Sequence, residues 1–461
     1  MSIVLFQEDY LDGEPDPLSP LSLMTPVHEL RYGNRLLYRA LSEAVGEPEA
    51  LIVPRRFERY VRGRYPGKAT RLEDLRGRIV LINAGIRPGR ATEALRLLRS
   101  GGRPVVDGGR LVAAEVDAGS IDGRDLSRTW SGTEMDALMK GPWELVEALD
   151  SWGGGGGVVY GSNVRLEEPV VIDTSGGPVL IADDARVEAF SRIEGPAYIG
   201  RGTIVHSARI NHHTYIGDMC RVGGEVEHSI IAGYSNKAHL GYLGHSYVGQ
   251  WVNVGAGGIT SDLKNTYGTV RYGRRRVETG LLKVGAFIGD HVKLAIGAMT
   301  YAGRSIGAAS HVYGLVDVDV PPFVMYSSSG SPRTEELELE KALEVAERMM
   351  SRRGVALTED VREIFRGAFE VSSIERRGFL SSGAGKRNRR NPDIDPSDTG
   401  RHARSLRADA LMDSAQDAVR CGGGERFHGP GPGIRGGRHT DGGRCPGRPG
   451  NRAGARSRPG R

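Results

Sequence analysis

Between Ile181 and Val205 an aliphatic residue returns every six positions along the chain. Helices repeat near 3.6 residues and strands alternate at two, so this period fits neither element. It is typical of a coil with a triangular cross-section, in which each side turns one aliphatic side chain inward. The positions that follow the repeat are Ile181, Val187, Ile193, Ile199, Val205, Ile210, Ile216, Val222, Val248, Val254, Ile288, Leu294, Ile306 and Val312. The pattern therefore predicts a hexapeptide-repeat β-helix over residues 158–330.

The repeat disappears between Gly257 and Lys283, where the sequence becomes polar and basic. Such a segment predicts a loop that leaves the β-helix and then returns to it. Long excursions from a regular scaffold often carry binding groups.

The first 150 residues alternate short apolar runs with segments of helical periodicity. This alternation predicts an α/β domain with a mostly parallel sheet. Predicted strands cover Ile3–Phe6, Ala50–Val53 and Ile79–Ile82, and predicted helices cover Asn34–Ala44, Ala91–Arg99 and a short stretch from Pro142. The glycine run Gly153–Gly157 predicts a flexible joint before the β-helix.

Residues 331–375 carry helical signals and predict a short helical C-terminal cap. Ser331 fits a helix N-cap, Pro332 fits the first helical position, and Thr358 would open a second helix. The residues that would share one face of the first helix are Leu339, Leu343, Ala346 and Met350. An uncapped β-helix would expose unpaired backbone, so we expect these helices to cap or flank its end.

Residues 376–461 are rich in Gly, Arg and Pro, and this composition predicts a disordered basic tail. The tail holds 19 Lys and Arg against 8 Asp and Glu, whereas residues 1–375 carry a net charge of −6. The basic pI of the whole chain therefore comes from the tail. The tail is either an electrostatic tether to RNA or a membrane, or an unselected extension. Because no aromatic residues are interleaved for base stacking, we expect no nucleic-acid partner.

Composition also narrows the cellular setting. No run of about 18 apolar residues predicts a membrane span, and the N-terminus lacks the basic region of a secretory signal. The three cysteines, Cys220, Cys421 and Cys445, have no disulfide or metal-site spacing. Together these features predict a soluble cytoplasmic protein without a membrane partner.

The polar stretch Gly223–Gly257 carries motifs that resemble a known transferase family. Its segment KAHLGYLGHSYVGQWVNVGAGGIT resembles the acetyltransferase domain of bifunctional N-acetylglucosamine-1-phosphate uridyltransferase/glucosamine-1-phosphate acetyltransferase. Over residues 1–370 the chain is similar to a branch described as sugar nucleotidyltransferases with a left-handed β-helix, through motifs such as TPVHELRYG and SDLKNTYGTV. The resemblance implies an α/β nucleotidyltransferase-like domain in residues 1–150, a left-handed parallel β-helix acyltransferase-like domain and a homotrimer. Sugar phosphate, nucleoside triphosphate and acetyl-CoA are the implied substrates.

The family assigns a general base to the histidine of this stretch, which here is His239. An imidazole that titrates near 6.5 suits the deprotonation of a sugar amine. Corner glycines Gly255 and Gly257 are predicted to present an N–H to the developing oxyanion. The matching substrate-contacting positions are Arg209, Glu225, Tyr242 and Asn253, Ala256 matches an acetyl-CoA contact, and the basic run with Arg274 and Arg275 is predicted to meet the coenzyme phosphates.

The chain departs from the family in both domains. A second basic sugar-phosphate ligand of the family falls on Glu227, and an Asn-Tyr pair falls on Asp262-Leu263, which puts the usual glucosamine-1-phosphate substrate in question. After Ile3–Phe6 the Gly-rich loop that wraps nucleotide phosphates is missing. The candidates for a nucleotide site, with Mg²⁺ if this domain is active, are Glu29, Arg31 and Asn83.

Two other functions are consistent with the sequence. In one, the acetyltransferase site and the nucleotidyltransferase site have both lost their activity, and the protein is a trimeric β-helix scaffold. Alternatively, the chain is a zinc hydratase, because some β-helix enzymes hold zinc with three imidazoles. The histidines that suggest this reading are His206, His212, His213, His239 and His245.

Overall fold

The computed structural model describes residues 2–9, 15–123, 125–329 and 333–382, and these belong to one compact unit. An N-terminal α/β domain, a parallel β-helix and C-terminal helices follow one another along the chain, which confirms the predicted fold class. No helix among the described residues is both long and apolar enough to cross a bilayer.

The N-terminal domain contains a six-stranded sheet in the order β4-β1-β5-β7-β6-β8. Five of the six strands run in the same direction, which confirms the predicted mostly parallel sheet, whereas β7 runs antiparallel to both of its neighbours. The reason is the Gly108-Gly109 turn, in which both residues have positive φ and close a tight β6–β7 hairpin. The elements are β1 (Ser2–Phe6), β2 (Arg31–Tyr32), β3 (Arg35–Leu36), α1 (Leu37–Val45), β4 (Ala50–Ile52), α2 (Glu58–Arg64), β5 (Arg78–Asn83), α3 (Pro88–Gly101), β6 (Val105–Asp107), β7 (Arg110–Asp117), β8 (Thr133–Glu134) and α4 (Trp143–Glu147).

The β-helix has three faces of short parallel strands, which we call A, B and C in chain order within each turn. Face A contains Val158–Tyr160, Val179–Ile181, Ala197–Ile199, Thr214–Ile216, Ile230–Ile231, Tyr247–Val248, Phe287–Ile288 and Ser305–Ile306. Face B contains Arg165–Leu166, Arg186–Val187, Asn236–Lys237, Asn253–Val254, Lys293–Leu294, His311–Tyr313 and Val324–Ser327. Face C contains Val171–Asp173, Arg192–Glu194, Tyr242–Gly244, Ile259–Thr260, Met299–Thr300 and Leu315–Val316. The longer strands Ile204–Ile210 and Arg221–Glu227 pass from face B to face C.

The six-residue repeat forms the core of this β-helix. Of its fourteen positions, thirteen are buried in one apolar cluster and Val254 packs against it. Between Thr260 and Phe287 the chain leaves the β-helix, as predicted, and forms a small hairpin from Arg271–Tyr272 and Val277–Glu278. Tyr247 on one side of this excursion nevertheless pairs directly with Phe287 on the other.

The N-terminal domain packs against face A. The guanidinium of Arg31 lies 4.3 Å from the ring centre of Tyr215, and its backbone N–H donates to the hydroxyl of Tyr247 at 2.9 Å. Both tyrosines are buried in the same cluster as the core of the first domain. The apolar core of the first domain therefore extends onto the outer surface of face A, and the interior of the β-helix forms a separate apolar cluster.

The C-terminal helices α5 (Leu339–Ser351), α6 (Glu359–Val371) and α7 (Ser373–Ser381) flank the β-helix. Phe365 of α6 packs on His291, at the edge between faces A and B. The end of face B is closed by the antiparallel strand Arg333–Glu336, which pairs with Val324–Ser327. The predicted helix start at Ser331 and Pro332 is therefore wrong, since a strand follows at once and the first helix begins at Leu339. Ser331 and Pro332 themselves lie outside the described residues.

Helix α7 extends beyond the predicted end of the helical region at residue 375. Arg376 is buried, donates to Glu336 at 2.7 Å, and lies 4.0 Å from the ring centre of Phe369. Residues 376–381 thus belong to the folded protein because this guanidinium anchors them. The remainder of the predicted basic tail, residues 383–461, lies outside the described residues.

Asp290 gives the interface between the two domains a pH dependence. It accepts hydrogen bonds from Thr25 Oγ1 at 2.7 Å and from the N–H of Gln250 at 2.6 Å. Burial raises the pKa of Asp290 to about 6, although both hydrogen bonds lower it. In the unfolded chain an aspartate titrates near 3.9, so the folded state retains a proton that the unfolded state has lost. This group's contribution to stability therefore falls as the pH rises from about 4 to about 6.

We predict that Asp290→Asn removes this dependence, because a neutral amide can accept from Gln250 and donate to Thr25. The free energy of unfolding of the variant should gain up to about 2–3 kcal/mol relative to wild type between about pH 4 and pH 7. Urea unfolding followed by circular dichroism at several pH values measures this difference. Parallel profiles for the two proteins would contradict the assignment.

Candidate functional site

Three of the predicted substrate-contacting residues form one row across neighbouring turns of face C. Arg209 lies opposite Glu225, and Glu225 lies opposite Tyr242, in direct register. A guanidinium nitrogen of Arg209 is 3.7 Å from a carboxylate oxygen of Glu225, and both side chains are partly exposed. Neighbouring parallel strands lie about 4.8 Å apart, so one sugar can contact several members of this row.

His239 lies in the loop that carries the chain from face B to face C, directly before this row. Its side chain is exposed, and within the described part of the chain its imidazole makes no hydrogen bond. The ring is therefore available to accept a proton from a ligand bound beside the row.

Lys237 holds the backbone of this loop from the inside of the β-helix. Its register partner on the preceding turn is the inward-facing Val222, so a lysine occupies a position that is normally aliphatic. Its Nζ donates to the carbonyl oxygens of Gly223, His239 and Gly241 at 2.8, 3.1 and 2.9 Å. Burial lowers the pKa of Lys237 to about 8. Because the three carbonyls satisfy all three donors of the ammonium, they fix the loop at His239.

The backbone N–H groups on the turn next to His239 differ in whether they are free to bind a ligand. The N–H of Gly257 donates to Leu240 O at 2.9 Å, and that of Gly255 donates to a carbonyl of the following turn at 2.9 Å. The prediction that these glycines offer a free N–H is therefore wrong, because the hydrogen bonds between turns use both. Ala256 lies between them, is exposed, and its N–H makes no hydrogen bond to any described residue. The predicted base and a free amide donor thus occupy neighbouring turns.

Large apolar side chains are exposed on the same side of the β-helix. Leu240 and Ile296, in the loops between faces B and C, are each 80% exposed. Ile259 and Met299 of face C are also exposed and lie in register with each other. Contiguous exposed apolar surface of this kind marks a binding surface or a contact with another subunit.

Glu227 and Asp262, the positions at which the chain departs from the resembled family, form a network with Tyr242. The hydroxyl of Tyr242 lies 2.9 Å from Asp262 Oδ2 and 3.2 Å from Glu227 Oε2. Asp262 Oδ2 also lies 2.7 Å from Nδ1 of His245. Burial would raise the pKa of Asp262, but hydrogen bonds from His245 and Tyr242 hold the pKa below its usual range. The ionised carboxylate therefore fixes the orientation of Tyr242.

Lys283 completes this network and was not found from the sequence. Its Nζ lies 3.3 Å from Glu227 Oε1, at the end of the excursion from the β-helix. It brings a cation to the position where the family has a basic phosphate ligand. The excursion hides this proximity, since residues 227 and 283 are far apart in the chain and the six-residue repeat is interrupted between them.

Asn253 lies on face B rather than on face C. Its register partner Asn236 donates to it at 3.4 Å and also accepts from Arg353, which follows α5, at 2.5 Å. Within one chain Asn253 is therefore on the opposite side of the His239 loop from the Arg209 row.

The hairpin of the excursion carries Arg274 and Arg275, both exposed. A guanidinium nitrogen of Arg274 lies 3.7 Å from a carboxylate oxygen of Glu375 in α7. Its charged group also lies 5.9 Å from the ring centre of Phe379. Arg274 thus has partners on α7, and a contact of either arginine with coenzyme phosphates stays a prediction.

The three candidates for the nucleotide site have different surroundings. Glu29 accepts a hydrogen bond from Tyr60 at 2.8 Å, whereas Arg31 stacks on Tyr215 at the domain interface. Asn83, at the end of β5, accepts from the N–H of Gly85 at 2.8 Å. Among the described residues, these three side chains therefore share no hydrogen-bond partner.

A small cleft opens at the carboxyl ends of the parallel strands β1 and β5. Glu8 in this cleft pairs with Arg110 through two guanidinium nitrogens. Asp16 accepts from Ser22 Oγ at 2.6 Å, and burial raises the pKa of both Glu8 and Asp16. The residues that line the cleft are Gln7, Glu8, Asp16, Pro17, Leu18, Val27, Asn83, Gly85, Arg110 and Met139. Sheets of this kind bind ligands at the carboxyl ends of their parallel strands.

Comparisons with known proteins agree with the resemblance seen in the sequence, although no family model matches the chain. The chain is 29% identical over 238 residues to the bifunctional protein GlmU of Azorhizobium caulinodans, covering 47% of this chain and 51% of that protein. It is 32% identical over 182 residues to a bifunctional sugar-1-phosphate nucleotidylyltransferase/acetyltransferase of Sulfurisphaera tokodaii, covering 37% of this chain and 43% of that protein. The chain thus spans about half the length of the curated relatives it matches.

Solved structures with some similarity include the Arabidopsis UDP-N-acetylglucosamine acyltransferase, at 15% identity and a TM-score of 0.24 over 51% of this chain and 95% of that one. The polySia-specific acetyltransferase NeuO has 13% identity and a TM-score of 0.22, over 39% of this chain and 85% of that one. The curated relatives are bifunctional transferases, and the predicted resemblance to them is confirmed.

We predict that Lys237→Met destabilises the protein, because three buried carbonyl oxygens lose their donor. The expected loss in the free energy of unfolding is about 1–3 kcal/mol. Thermal or urea unfolding measures it, with Lys341→Met as a control at an exposed lysine of α5. Equal stability of the two variants would show that the carbonyls do not depend on this ammonium.

Proposed function

We propose that the β-helix transfers an acetyl group from acetyl-CoA to the amine of an amino-sugar phosphate, with His239 as the general base. The observation that carries this proposal is that the exposed His239 lies in the loop directly before the Arg209–Glu225–Tyr242 row, while the N–H of Ala256, without a partner among the described residues, lies on the next turn. The relative from Sulfurisphaera tokodaii is named as an acetyltransferase, which supports the same chemistry.

In this mechanism, the imidazole of His239 removes a proton from the sugar ammonium, and the neutral amine attacks the thioester carbonyl. The carbonyl oxygen then carries negative charge, which the N–H of Ala256 is positioned to stabilise. Collapse of the tetrahedral intermediate forms the amide and expels the thiolate of coenzyme A, and the nitrogen, which is positively charged after the attack, loses its second proton to solvent. His239 returns the proton to this thiolate, so the histidine is regenerated for the next turnover.

The charges around Tyr242 suggest how the sugar phosphate binds. Arg209 and Lys283 are two cations on the surface of this region, and each is already close to a carboxylate, Glu225 or Glu227. A phosphate would compete with these carboxylates for the cations, and the carboxylates would then be available to sugar hydroxyls. Glu227 would repel a phosphate placed directly at its position. A substrate other than glucosamine-1-phosphate, in which phosphate and amine are differently placed, therefore fits this chain better.

We also propose that the active unit is a homotrimer acting in the cytoplasm. Asn253 on face B and the Arg209 row on face C point away from each other within one chain. A second copy packed against the exposed Leu240 and Ile296 would bring a face B next to a face C and complete the site. The same apolar surface would contact the acetyl group and the pantetheine arm of acetyl-CoA.

A second activity, nucleotidyl transfer to a sugar-1-phosphate, is supported by the cleft at the carboxyl ends of β1 and β5. Arg110 supplies a cation for phosphate in this cleft. The described carboxylates of Glu8 and Asp16 are already bound to protein groups, so they do not fit an open Mg²⁺ site, and we derive no step through this ion. Loss of both activities would leave the scaffold function.

We predict that full-length protein releases free thiol from acetyl-CoA with at least one amino-sugar phosphate. His239→Ala should lower this rate about 10²–10⁴-fold, since it removes the general base. His206→Ala, at a partly exposed histidine of face B, serves as the control and should keep the rate. Thiol release unchanged in His239→Ala would refute the mechanism, and no release with any amino sugar would favour the scaffold.

We predict further that the protein releases pyrophosphate from a nucleoside triphosphate and a sugar-1-phosphate. Arg110→Ala should lower this activity at least about tenfold, because the cleft loses its cation. Arg78→Ala removes an exposed arginine of β5 outside the cleft and is the matched control. Activity equal in both variants would exclude this cleft as the site, and its absence in wild type would exclude the activity.

A further inference from the structure

Three histidines form a column along the edge between faces C and A. His213, His228 and His245 occupy equivalent positions on successive turns, because the strands that follow them pair in register. All three have positive φ, between 43° and 54°. The rings of His228 and His245 stack with their centres 4.7 Å apart, and those of His213 and His228 are 5.5 Å apart. The regular turns of the β-helix therefore gather imidazoles that are 15 and 17 residues apart in the chain.

Asp150 of the N-terminal domain meets this column. It lies in the short 3₁₀ helix Ala148–Ser151, directly before the joint to the β-helix. One ligand atom from each of Asp150, His213 and His228 lies within 4.8 Å of the other two. Two imidazoles and a carboxylate therefore converge from two domains.

His228 carries a second, independent sign of a ligand. Its side chain is buried, with only 7% of the residue exposed, and its Nε2 has no hydrogen-bond partner among the described residues. The carboxylate Oδ1 of Asp150 is 3.5 Å from this nitrogen, which is too far for a good hydrogen bond. A buried polar nitrogen without a partner is costly unless something else binds it.

We propose that Asp150, His213 and His228 bind a divalent transition-metal ion, with Zn²⁺ as the ion whose ligand preference they match. Zinc takes imidazole nitrogen and carboxylate oxygen at about 2.0–2.2 Å in tetrahedral geometry, which places two ligand atoms roughly 3.3–3.5 Å apart. The separation of 3.5 Å between His228 Nε2 and Asp150 Oδ1 agrees with this span. Asp150 is exposed, so a fourth position faces solvent and can hold water.

The surroundings of the cluster suit a metal. Imidazole binds a metal ion through a neutral ring nitrogen, and the buried Nε2 of His228 is such a nitrogen without a hydrogen-bond partner among the described residues. Nδ1 of His213 lies 3.1 Å from Nδ1 of His212, which occupies that nitrogen and assigns the other one to the ion.

The bound ion would have two consequences for the protein. It would link the last helical turn of the N-terminal domain to the β-helix, in addition to the covalent connection through the glycine run Gly153–Gly157. It would also sit one ring away from His245, whose carboxylate partner Asp262 orients Tyr242. This site is separate from the acetyltransferase mechanism, since His239 and Ala256 are not part of it.

The test uses untagged full-length protein that has been stripped of metal with a chelator. Zn²⁺ binding is measured by calorimetry and by metal analysis after dialysis, and the melting temperature is measured with and without Zn²⁺. The variants are Asp150→Asn, His213→Asn and His228→Asn, because asparagine tolerates positive φ at the two histidine positions. His206→Asn is the control, and the histidines and cysteines of residues 383–461 are unchanged in every protein.

We expect wild type and His206→Asn to bind one equivalent of Zn²⁺ and to melt at a higher temperature when it is present. Each of the three ligand variants should bind Zn²⁺ at least about tenfold more weakly and should lose the rise in melting temperature. Wild type that binds no Zn²⁺ would overturn the proposal. So would equal binding by wild type and all three ligand variants, which would place the ion elsewhere. Thiol release from acetyl-CoA, measured separately, does not enter this result.

Discussion

The structure depends on the hydrogen-bonded register between successive turns of the β-helix. Apart from the excursion, this register aligns residues 14 to 21 positions apart, so any outward position becomes part of a column along the coil. Inside, the columns are Ile, Val and Leu, whose burial drives the stacking. Outside, the columns include three sets of residues. One contains the tyrosines of face A on which the first domain packs, one is the row of polar residues on face C, and one is the column of histidines between faces C and A. The proposed binding sites therefore arise by repetition of positions, and each turn contributes one group.

Polar groups interrupt the buried positions where the proposed chemistry lies. Lys237 replaces an aliphatic side chain beneath His239, and Asp262 is buried beside Tyr242. Burying such charges is unfavourable unless every donor and acceptor is satisfied, and both residues have the necessary partners. A regular coil does not need these groups for stability. Departures from local rules that are compensated in this way concentrate at functional sites.

The β-helix was predictable because each of its sides must turn one apolar side chain inward about every six residues. Polar residues at positions such as Ile193 or Val205 would disrupt this core. The row Arg209–Glu225–Tyr242 also followed, since adjacent turns keep a nearly constant length. Contacts between domains could not be derived in this way. Asp150 meets His228 only because the first domain packs on face A, and Lys283 reaches Glu227 only after a long excursion. The Gly108-Gly109 turn, by contrast, was a local signal for a hairpin to the antiparallel strand β7, which the strands predicted for this mostly parallel sheet did not include.

The excursion that ends at Lys283 has a consequence for how this architecture diversifies. Tyr247 and Phe287 are 40 residues apart, yet they pair as residues 17 apart do elsewhere, such as Ile230 and Tyr247. The hydrogen bonds between successive turns therefore form in the same way whether or not a long segment is inserted between those turns. New side chains can therefore be delivered to an existing surface by lengthening a single loop, while every other column keeps its alignment. In such a scaffold, selectivity for a ligand can change through insertions without any cost to the packing that holds the chain together.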